Sequence, residues 1–573
     1  MNSLKKIQKP MILEIIQIFS AHPFILTALA CFFCVSVSSA NISAVSTFIP
    51  SAVLCFCGIV GAAAVSYRSP KKSKKPVMVY LSGTAVAFSL IFAFMLTESS
   101  KPQLVILNTG MVLVLAAAVY LICIKKLTTR RLIILMFILG FLLRLAYIVT
   151  VSISTKQHDV GSLEKMNGHL GYIGYLVYNG SLPDIDVREV YQYYHPPLHH
   201  ILAAIWVRIQ HLIGIDNENI WENIQILTMF YSCLCMILSY KIFRALGLDG
   251  KGLATAFAVV AFCPTFYILG GSINNDILSV TFLLGAALNT LYWYKSRNMG
   301  RVICIAVCIG CGMMTKLSVW MAAPAVAFIF IYVFFKNIKE WKRWLGQYAA
   351  FLGICAPLGL WWGIRNYITH GVPITYVMKL SDSSSQYIGN IPVMERIFDF
   401  SPSQFADVGD QFTMYDGAYN EYNPLVALFK TSMFDELFTV RFYPEIAGFN
   451  KILFWSAVIL GIVGFISMLY SFCCKKALSG VHKIFIGILY VVIFVSYYAF
   501  CIQFPHVCTE NIRYAVPLIV IGAFFAGSAI RDLETCQKPK LKIPCIALSN
   551  ALLTVTALYS ISSIIVYEKI FIK

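Results

Sequence analysis

The chain has 573 residues, of which 59% are hydrophobic and only 13% are charged. A soluble protein of this length covers its surface with charged side chains, so the composition excludes that class. The net charge of +18 does not indicate nucleic-acid binding, because the Lys and Arg residues stand in short clusters between apolar runs, as they do in the cytoplasmic loops of membrane proteins.

Apolar runs long enough to cross a bilayer as helices recur from one end of the chain to the other. In chain order they fall near 24–39, 46–66, 77–97, 104–123, 132–152, 196–213, 222–243, 252–270, 276–295, 301–315, 318–335, 345–364, 452–472, 482–502, 514–530 and 544–566. We predict an all-α polytopic membrane protein. About fifteen of these runs are predicted to be transmembrane helices.

The basic clusters predict the orientation, because Lys and Arg remain on the cytoplasmic side. They place the start of the span 132–152 inside, so the following loop, 153–195, is external. All later clusters fall inside only if 196–213 does not fully cross. Its apolar residues share one helical face, while His199 and His200 lie off that face and are expected at the membrane interface. The alternative is a crossing helix whose polar stripe faces a bundle interior.

In this topology the first external loop carries the strongest candidates for a site. Asp159 follows a span exit, where a carboxylate at the rim of a cavity accepts a proton from a hydroxyl or amine. The alternative is a solvated loop acid. His158 and Glu164 are candidates to hold Asp159 or to bind a cation. His195 precedes two prolines, which present it just before a helix begins. The alternative is a histidine at the interface by chance.

Further candidates stand at the outer ends of later spans. Asn275 and Asp276 open a span, either as a helix start or as contacts for a polar substrate. Lys316 either extends along the helix to the interface or holds a phosphate. Arg365 and Arg513 are disfavoured on the outer face by the positive-inside rule, so an anionic lipid headgroup or a phosphate-bearing substrate would explain them.

Taken in order, these residues resemble the GT-C integral-membrane glycosyltransferases, above all the protein O-mannosyltransferases and the lipid A aminoarabinose transferases. The resemblance covers roughly 131–530 and begins with Arg144 inside the first core span. It continues through the short motifs "GYLVYNGSLPD", "HPPLHHILA", "NNDIL", "GMMTKLS", "IRNYITHGVP" and "IRYAVP", the last of which contains Tyr514. Each motif is short, and their order and spacing carry the specificity.

The resemblance implies a GT-C-like core and a reaction. A sugar would move, with inversion, from a polyprenyl-phosphate carrier to a lipid, glycan or protein acceptor on the outer face. Asp159 would be the base that deprotonates the acceptor, and Asp276 would position sugar or acceptor. The carrier phosphate would be held by His195, Lys316, Arg365 and Arg513, since fixed cations stabilise its developing charge. Asn275 and Tyr514 would complete the substrate contacts.

The first loop departs from the family pattern in one place. Many members carry Asp-Glu there, whereas this chain has Asp159 followed by Val160. Glu164 is the candidate to replace the missing carboxylate. The metal ligands are therefore unknown, and a requirement for a divalent cation stays open.

The resemblance also divides the chain into four parts. Residues 1–128 are a four-helix membrane extension, 129–365 the transmembrane core, 366–450 an external loop region, and 451–573 the C-terminal transmembrane helices. The stretch 366–450 is too long for a plain connector, so we predict an acceptor-binding cover with short helices, for example near "NPLVALFKTSMFDELF". A tolerated insertion is the alternative. The short, simple basic loops favour a bacterial plasma membrane, with membrane lipids as partners and no nucleic acid.

A transporter or flippase of lipid-linked sugars is the competing hypothesis. It predicts inverted repeats and broken helices near mid-membrane. The sequence shows neither, and its polar residues gather at one face. A non-catalytic membrane scaffold is the third hypothesis, and it leaves Asp159 without a role.

Overall fold

The computed structural model describes residues 102–572, with gaps at 156, 216, 407, 409–413, 416–417, 420, 437–443 and 474–477. Three of the four spans predicted in 1–128 therefore lie outside the described residues. The fourth is a helix that begins at Pro102 and ends at Cys123.

Helices account for nearly all the regular structure in the described part of the chain. In order, the α-helices are α1 (Pro102–Cys123), α2 (Thr129–Thr150), α3 (Gly168–Asn179), α4 (Leu198–Leu212), α5 (Asn217–Glu222), α6 (Ile224–Ala245), α7 (Gly250–Ala261), α8 (Pro264–Gly271), α9 (Asp276–Ser296), α10 (Met299–Met313), α11 (Ala323–Lys336), α12 (Trp341–His370), α13 (Val393–Phe398), α14 (Pro424–Phe434), α15 (Ala447–Cys473), α16 (Gly480–Gln503), α17 (Pro517–Glu534) and α18 (Pro539–Ile572). Short 3₁₀ helices lie at Leu317–Ala322, Ile338–Glu340, Pro402–Phe405, Pro444–Ile446, Val507–Glu510 and Ile512–Tyr514. Two-residue strands β1 (Met414–Tyr415) and β2 (Ala418–Tyr419) pair antiparallel.

Nine helical segments within the described ranges are long and apolar enough to cross a membrane. They are Thr129–Thr150, Asn219–Ala245, Gly250–Gly271, Asp276–Ser296, Leu317–Lys336, Ile338–His370, Pro444–Cys473, Gly480–Gln503 and Pro539–Lys569. The all-α polytopic membrane fold is thereby confirmed. The total of about fifteen crossings, which includes spans in 1–101, stays a prediction.

The segment predicted at 196–213 forms α4. Its 15 residues are about 22 Å long at the usual helical rise, short of the roughly 30 Å hydrocarbon layer. The chain then returns through α5, where the Glu222 carboxylate accepts hydrogen bonds from Ser152 Oγ (2.6 Å) and the Ile153 amide (3.0 Å). These contacts support the prediction that the segment does not cross.

The two histidines at the start of α4 do not lie at the membrane interface. His199 and His200, expected at the interface, are fully buried, whereas Ile205 and Leu212 are 50% and 85% exposed. Nε2 of His199 lies 2.7 Å from the Ile273 carbonyl oxygen. The prediction was wrong because lipid accepts apolar side chains, whereas an imidazole finds hydrogen-bond partners only inside the bundle.

The span predicted at 252–270 is broken between α7 and α8. We predicted no broken helix from the sequence. Pro264 opens α8 and cannot donate a helical hydrogen bond. The buried guanidinium of Arg144 donates to the Ala261 carbonyl at the break (3.1 Å), to the Gly140 carbonyl (2.7 Å) and to Ser232 Oγ (2.8 Å). A side chain thus satisfies the backbone freed by the break, and α8 leads into the loop that carries Asn275.

Candidate functional site

A cavity of about 560 Å³ lies among the loops that follow α2 and α8 and the ends of α12 and α16. Its size suits a small-molecule or sugar-sized ligand. Most of the predicted site residues line it, namely Asp159, His195, Asn275, Asp276, Lys316, Arg513 and Tyr514. The long stretch 366–450 contributes part of the wall, including residues 372–378, and also contains the short helix α14.

Asp159 is held as an ionised carboxylate at the cavity wall. Its Oδ2 lies 2.6 Å from Nη1 of Arg513, and the hydroxyl of Tyr191 donates to its Oδ1. Burial alone would raise the pKa of Asp159, but Arg513, followed by His158 and His169, outweighs it and holds the pKa well below its usual range. The carboxylate is therefore a hydrogen-bond acceptor, and it becomes a strong base only when Arg513 is drawn elsewhere.

The backbone of Asp159 is also constrained. Its φ of 59° lies in the left-handed region, which is unfavourable for a residue with a side chain. The amide of His169 donates to its carbonyl oxygen at 3.0 Å, and the Arg513 and Tyr191 contacts fix its carboxylate. The surrounding contacts therefore over-determine the position of this side chain.

His158, predicted to contact substrate, is buried behind the cavity wall. Nε2 of His158 lies 2.9 and 3.0 Å from the two carboxylate oxygens of Asp435, and Nδ1 lies 2.6 Å from Oε1 of Glu436. Burial alone would lower the pKa of His158, but the two carboxylates raise it to about 10. His158 is therefore an imidazolium ion that donates from both nitrogens.

A chain of hydrogen bonds connects this imidazolium to Arg513. Asp435 also accepts from Nδ2 of Asn511 at 2.7 Å, and Oδ1 of Asn511 accepts from the Arg513 amide at 3.0 Å. Because His158 and Asp159 are neighbours in sequence, three separate loops close a ring around the Asp159–Arg513 pair.

A second ion pair also lines the cavity. Nζ of Lys316 donates to the Asp276 carboxylate, so Lys316 does not extend to the membrane interface. Its Nζ lies 4.9 Å from the ring centre of Tyr514, and Cζ of Arg513 lies at the same distance from that ring. Asn275 is the N-cap residue of α9, but its side chain instead donates to the Thr315 carbonyl at 2.8 Å. Tyr514 therefore holds the two cations in one wall.

Three predicted site residues lie outside the lining of the cavity, namely His158, Glu164 and Arg365. Arg365 donates to the Pro183 carbonyl at 2.7 Å and to Asp184 at 3.0 Å, while its neighbour Asn366 lines the cavity. Successive residues of a helix point about 100° apart, and of these two it is Asn366 that faces the cavity. The role of Arg365 as a phosphate contact stays a prediction, which the lining of the cavity does not support.

Glu164, the candidate for the missing second acid, does not line the cavity. It is exposed, in a turn that is closed by the bridge between Ser162 and Asn167. The carboxylates beside the first loop come instead from Asp435 and Glu436, which lie far away in sequence. His158, Asp435 and Glu436 have the ligand types of a metal site, but both ring nitrogens of His158 already donate to the carboxylates.

Several cavity residues were not predicted, among them His169, Tyr191, Tyr194, Asn366 and Glu436. Glu436 belongs to the quoted "FDELF" stretch, yet no local pattern links it to His158. Burial and the nearby Lys316 lower the pKa of His195 to about 3. His195 therefore offers one N–H and one lone pair, not a positive charge.

The apolar bundle and the ionised groups around one cavity define an integral-membrane protein with a polar site near the ends of its helices. Residues 194–361 match the family model described as dolichyl-phosphate-mannose-protein mannosyltransferase. The match covers less than a third of the chain. The matched region contains His195, Asp276 and Lys316 but neither Asp159 nor Arg513.

Among solved structures, the chain is similar to the oligosaccharyltransferase of Archaeoglobus fulgidus. The apo form is 13% identical, with a TM-score of 0.43 over 76% of this chain and 56% of that one. The complex of AglB with an inhibitory peptide and a dolichol-phosphate is 14% identical, with a TM-score of 0.45 over 77% and 56%. The chain thus covers little more than half of these proteins. No curated protein matches the chain significantly.

Proposed function

We propose that this protein is a GT-C glycosyltransferase that moves a sugar from a polyprenyl-phosphate carrier to an acceptor hydroxyl or amine on the outer face of the membrane, with inversion. The observation that carries the proposal is the Asp159–Arg513 pair, which places a base beside a cation in a cavity that also contains Lys316. The matched family is named for a dolichyl-phosphate-mannose donor, which supports a carrier of the polyprenyl-phosphate class.

The distribution of charge along the spans supports an outer-face site. Asp276 opens α9 at the cavity, and Lys295 stands near its other end. Arg513 precedes α17 at the cavity, and Arg531 stands in its last turn. Since Lys and Arg clusters remain on the cytoplasmic side, the cavity ends of these helices are expected to face outward.

Arg513 is placed to serve both the base and the donor. Only Nη1 is engaged by Asp159, and the buried Nε has no hydrogen-bond partner among the described residues. A phosphate that binds Arg513 and Lys316 would share the guanidinium with Asp159. Donor binding would then raise the pKa of Asp159 toward its usual range and make it a better base.

The transfer step follows from this arrangement. The acceptor oxygen or nitrogen attacks the anomeric carbon from the face opposite the phosphate, while the carbon–oxygen bond to the phosphate breaks. The bonding electrons leave with polyprenyl phosphate, whose new negative charge is stabilised by Arg513 and Lys316. Asp159 takes the proton of the acceptor. Attack opposite the leaving group inverts the anomeric configuration.

A transfer assay in membranes tests the proposal. Labelled polyprenyl-phosphate sugars are supplied to the wild type and to Asp159→Asn, which keeps the shape of the side chain and removes the base. Transfer is expected to fall by about 100-fold or more. Glu189→Gln, an exposed acid of the same loop, is the matched control and retains transfer. Undiminished transfer by Asp159→Asn would overturn the assignment of the base.

A further inference from the structure

Two histidines form a hydrogen-bonded pair that the proposed reaction does not use. Nδ1 of His169 lies 2.9 Å from Nε2 of His200, and the two ring planes are only 7° apart. His169 lines the cavity beside Asp159, whereas His200 is fully buried behind it. The ring of Tyr172 covers His200 at a centroid distance of 4.2 Å. The pair is therefore a fixed part of the wall.

Both imidazoles are neutral. Burial lowers the pKa of His169 well below its usual range, and His195 and His199 lower it further, against the opposing effect of Asp159 and Asp276. Burial likewise lowers the pKa of His200, together with the histidines at 169, 199 and 195. A hydrogen bond between two neutral imidazoles needs one protonated and one bare nitrogen.

The surroundings of His200 select one of the two arrangements. Its Nδ1 is buried and makes no hydrogen bond of standard geometry with the described residues, and the Pro196 carbonyl is the polar group that approaches the ring. A proton on Nδ1 faces this carbonyl favourably, whereas a bare Nδ1 would set two lone pairs against each other. Nε2 of His200 is then bare and accepts from Nδ1–H of His169. This leaves Nε2 of His169 without a proton.

That nitrogen differs from the carboxylates of the cavity. The carboxylates of Asp159, Asp276 and Glu436 are each already paired with a cation. Nε2 of His169 has no hydrogen-bond partner within the described part of the chain. A sugar that leaves water brings several hydroxyl groups, and each loses free energy unless it finds a partner. A neutral, pre-oriented acceptor suits such a hydroxyl.

We propose that Nε2 of His169 accepts a hydrogen bond from a hydroxyl group of the transferred sugar, and that His200 is the positioning residue that holds His169 in this tautomer. The inference rests on the proposed function, because it assumes that the cavity binds the sugar of a lipid-phosphate donor. It adds a contact to the sugar itself, whereas Arg513 and Lys316 address the phosphate.

Binding of two ligands by the purified full chain in detergent separates the contact from general packing. One ligand is polyprenyl phosphate. The other is a hexosyl polyprenyl phosphate: carriers with mannose, glucose and galactose are compared first, and the one that the wild type binds best is used. His169→Phe, which keeps an aromatic ring against His195, is expected to weaken binding of the hexosyl carrier about three- to tenfold. Binding of bare polyprenyl phosphate should not change. His169→Gln, which retains an acceptor, should recover part of the loss.

The partner histidine gives an independent readout. His200→Phe is expected to cause a smaller loss that is again confined to the hexosyl carrier, because His169 then loses its fixed tautomer. In the His169→Phe background, His200→Phe should add no further selective loss, since the two residues act as one unit.

The possible failures are distinct. Equal weakening for both ligands, or no change for either, would overturn the role of His169. Unchanged donor binding with reduced transfer would also overturn it and would assign the contact to the acceptor. If the wild type binds neither ligand, the proposed function fails before the histidine pair is in question.

Discussion

The imidazolium of His158 is the ion that connects the loop after α2 to the end of α14. The pKa of a histidine in an unfolded chain is about 6.5, whereas that of folded His158 is about 10. A group whose pKa is raised on folding stabilises the folded state fully below its unfolded pKa. That contribution is lost as the pH rises through the folded value. His158 therefore stabilises the fold below pH 6.5 and progressively less toward pH 10.

We expect this titration to appear in thermal unfolding in detergent. Between pH 6.5 and 9.5 the unfolding midpoint should fall more in the wild type than in His158→Gln, which lacks the ion. At pH 6.5 His158→Gln should be less stable by about 3–5 kcal/mol, because two buried carboxylates lose their cation. His211→Gln, a substitution of an exposed histidine, serves as the control. Equal pH dependence in His158→Gln and the wild type would contradict the assignment of the charge.

Arg513 sets the protonation of Asp159, so its removal should move the acid limb of the transfer reaction. In the wild type the pKa of Asp159 is held well below its usual range, and acid should impair transfer only at low pH. In Arg513→Gln burial is no longer opposed by the guanidinium, and the acid limb of kcat/KM should shift to higher pH. Arg513→Lys keeps the charge and should shift it less. An unmoved limb in Arg513→Gln would show that Asp159 is not the titrating base.

At this scale the sequence located residues that stand at span ends but not their partners. Hydropathy shows that Asp159, Lys316 and Arg513 stand at the ends of membrane spans. A charged residue there is costly unless it has a function, which is why these three were predicted. Glu436 and His169 carry no such local signal, since their positions depend on how distant loops fold together. Arg365 was predicted by the same rule, yet it is Asn366, the next residue, that lines the cavity. Hydropathy alone does not tell such neighbouring residues on a helix apart.

Helices α7 and α17 approach each other through glycine. A Cβ atom on Gly527 would overlap the carbonyl oxygen of Gly252, and a Cβ atom on Gly252 would overlap that of Gly527. Such contacts let membrane helices pack closely. The start of α17 follows Arg513 and Tyr514, so this packing also supports the cavity wall.

Gly527→Ala should therefore force the two helices apart and destabilise the protein by about 1–3 kcal/mol. The control lies on the same helix, because a Cβ atom on Gly522 would meet nothing within 4 Å. Gly522→Ala should be neutral or slightly stabilising, since alanine is the better helix former. Thermal unfolding of the two variants in detergent measures the difference. Equal midpoints would show that the helices adjust freely.

The elements themselves show which patterns local sequence carries. The periodicity of 196–213 predicted the amphipathic helix α4. A periodic pattern shows which residues share a face, but it does not show what that face contacts. In the structure the polar side, with His199 and His200, is buried in protein, whereas Ile205 and Leu212 are exposed. The break before Pro264 had a local signal, a proline inside an apolar run. Its stabilisation by Arg144 is tertiary and had none.

On the scale of the whole molecule, hydropathy predicts the helical bundle well. The reason is that each membrane span is recognised from the length and composition of its own apolar run. The cavity is different, since it forms only where the ends of several spans and their loops meet. Its side of the membrane is therefore inferred from the basic clusters at the opposite helix ends.

Labelling of single introduced cysteines tests that inference. Ser383 lies in the polar stretch after α12, and Lys339 lies just before that helix; both are exposed. In sealed cells, Ser383→Cys should react with a membrane-impermeant maleimide, whereas Lys339→Cys should react only after permeabilisation. The unaltered chain measures the background, because Cys123, Cys304 and Cys473 are also exposed. Since α12 carries the chain from Lys339 to the cavity wall at Asn366, the reverse pattern would place the cavity on the cytoplasmic side. The donor would then have to be presented from that side of the membrane.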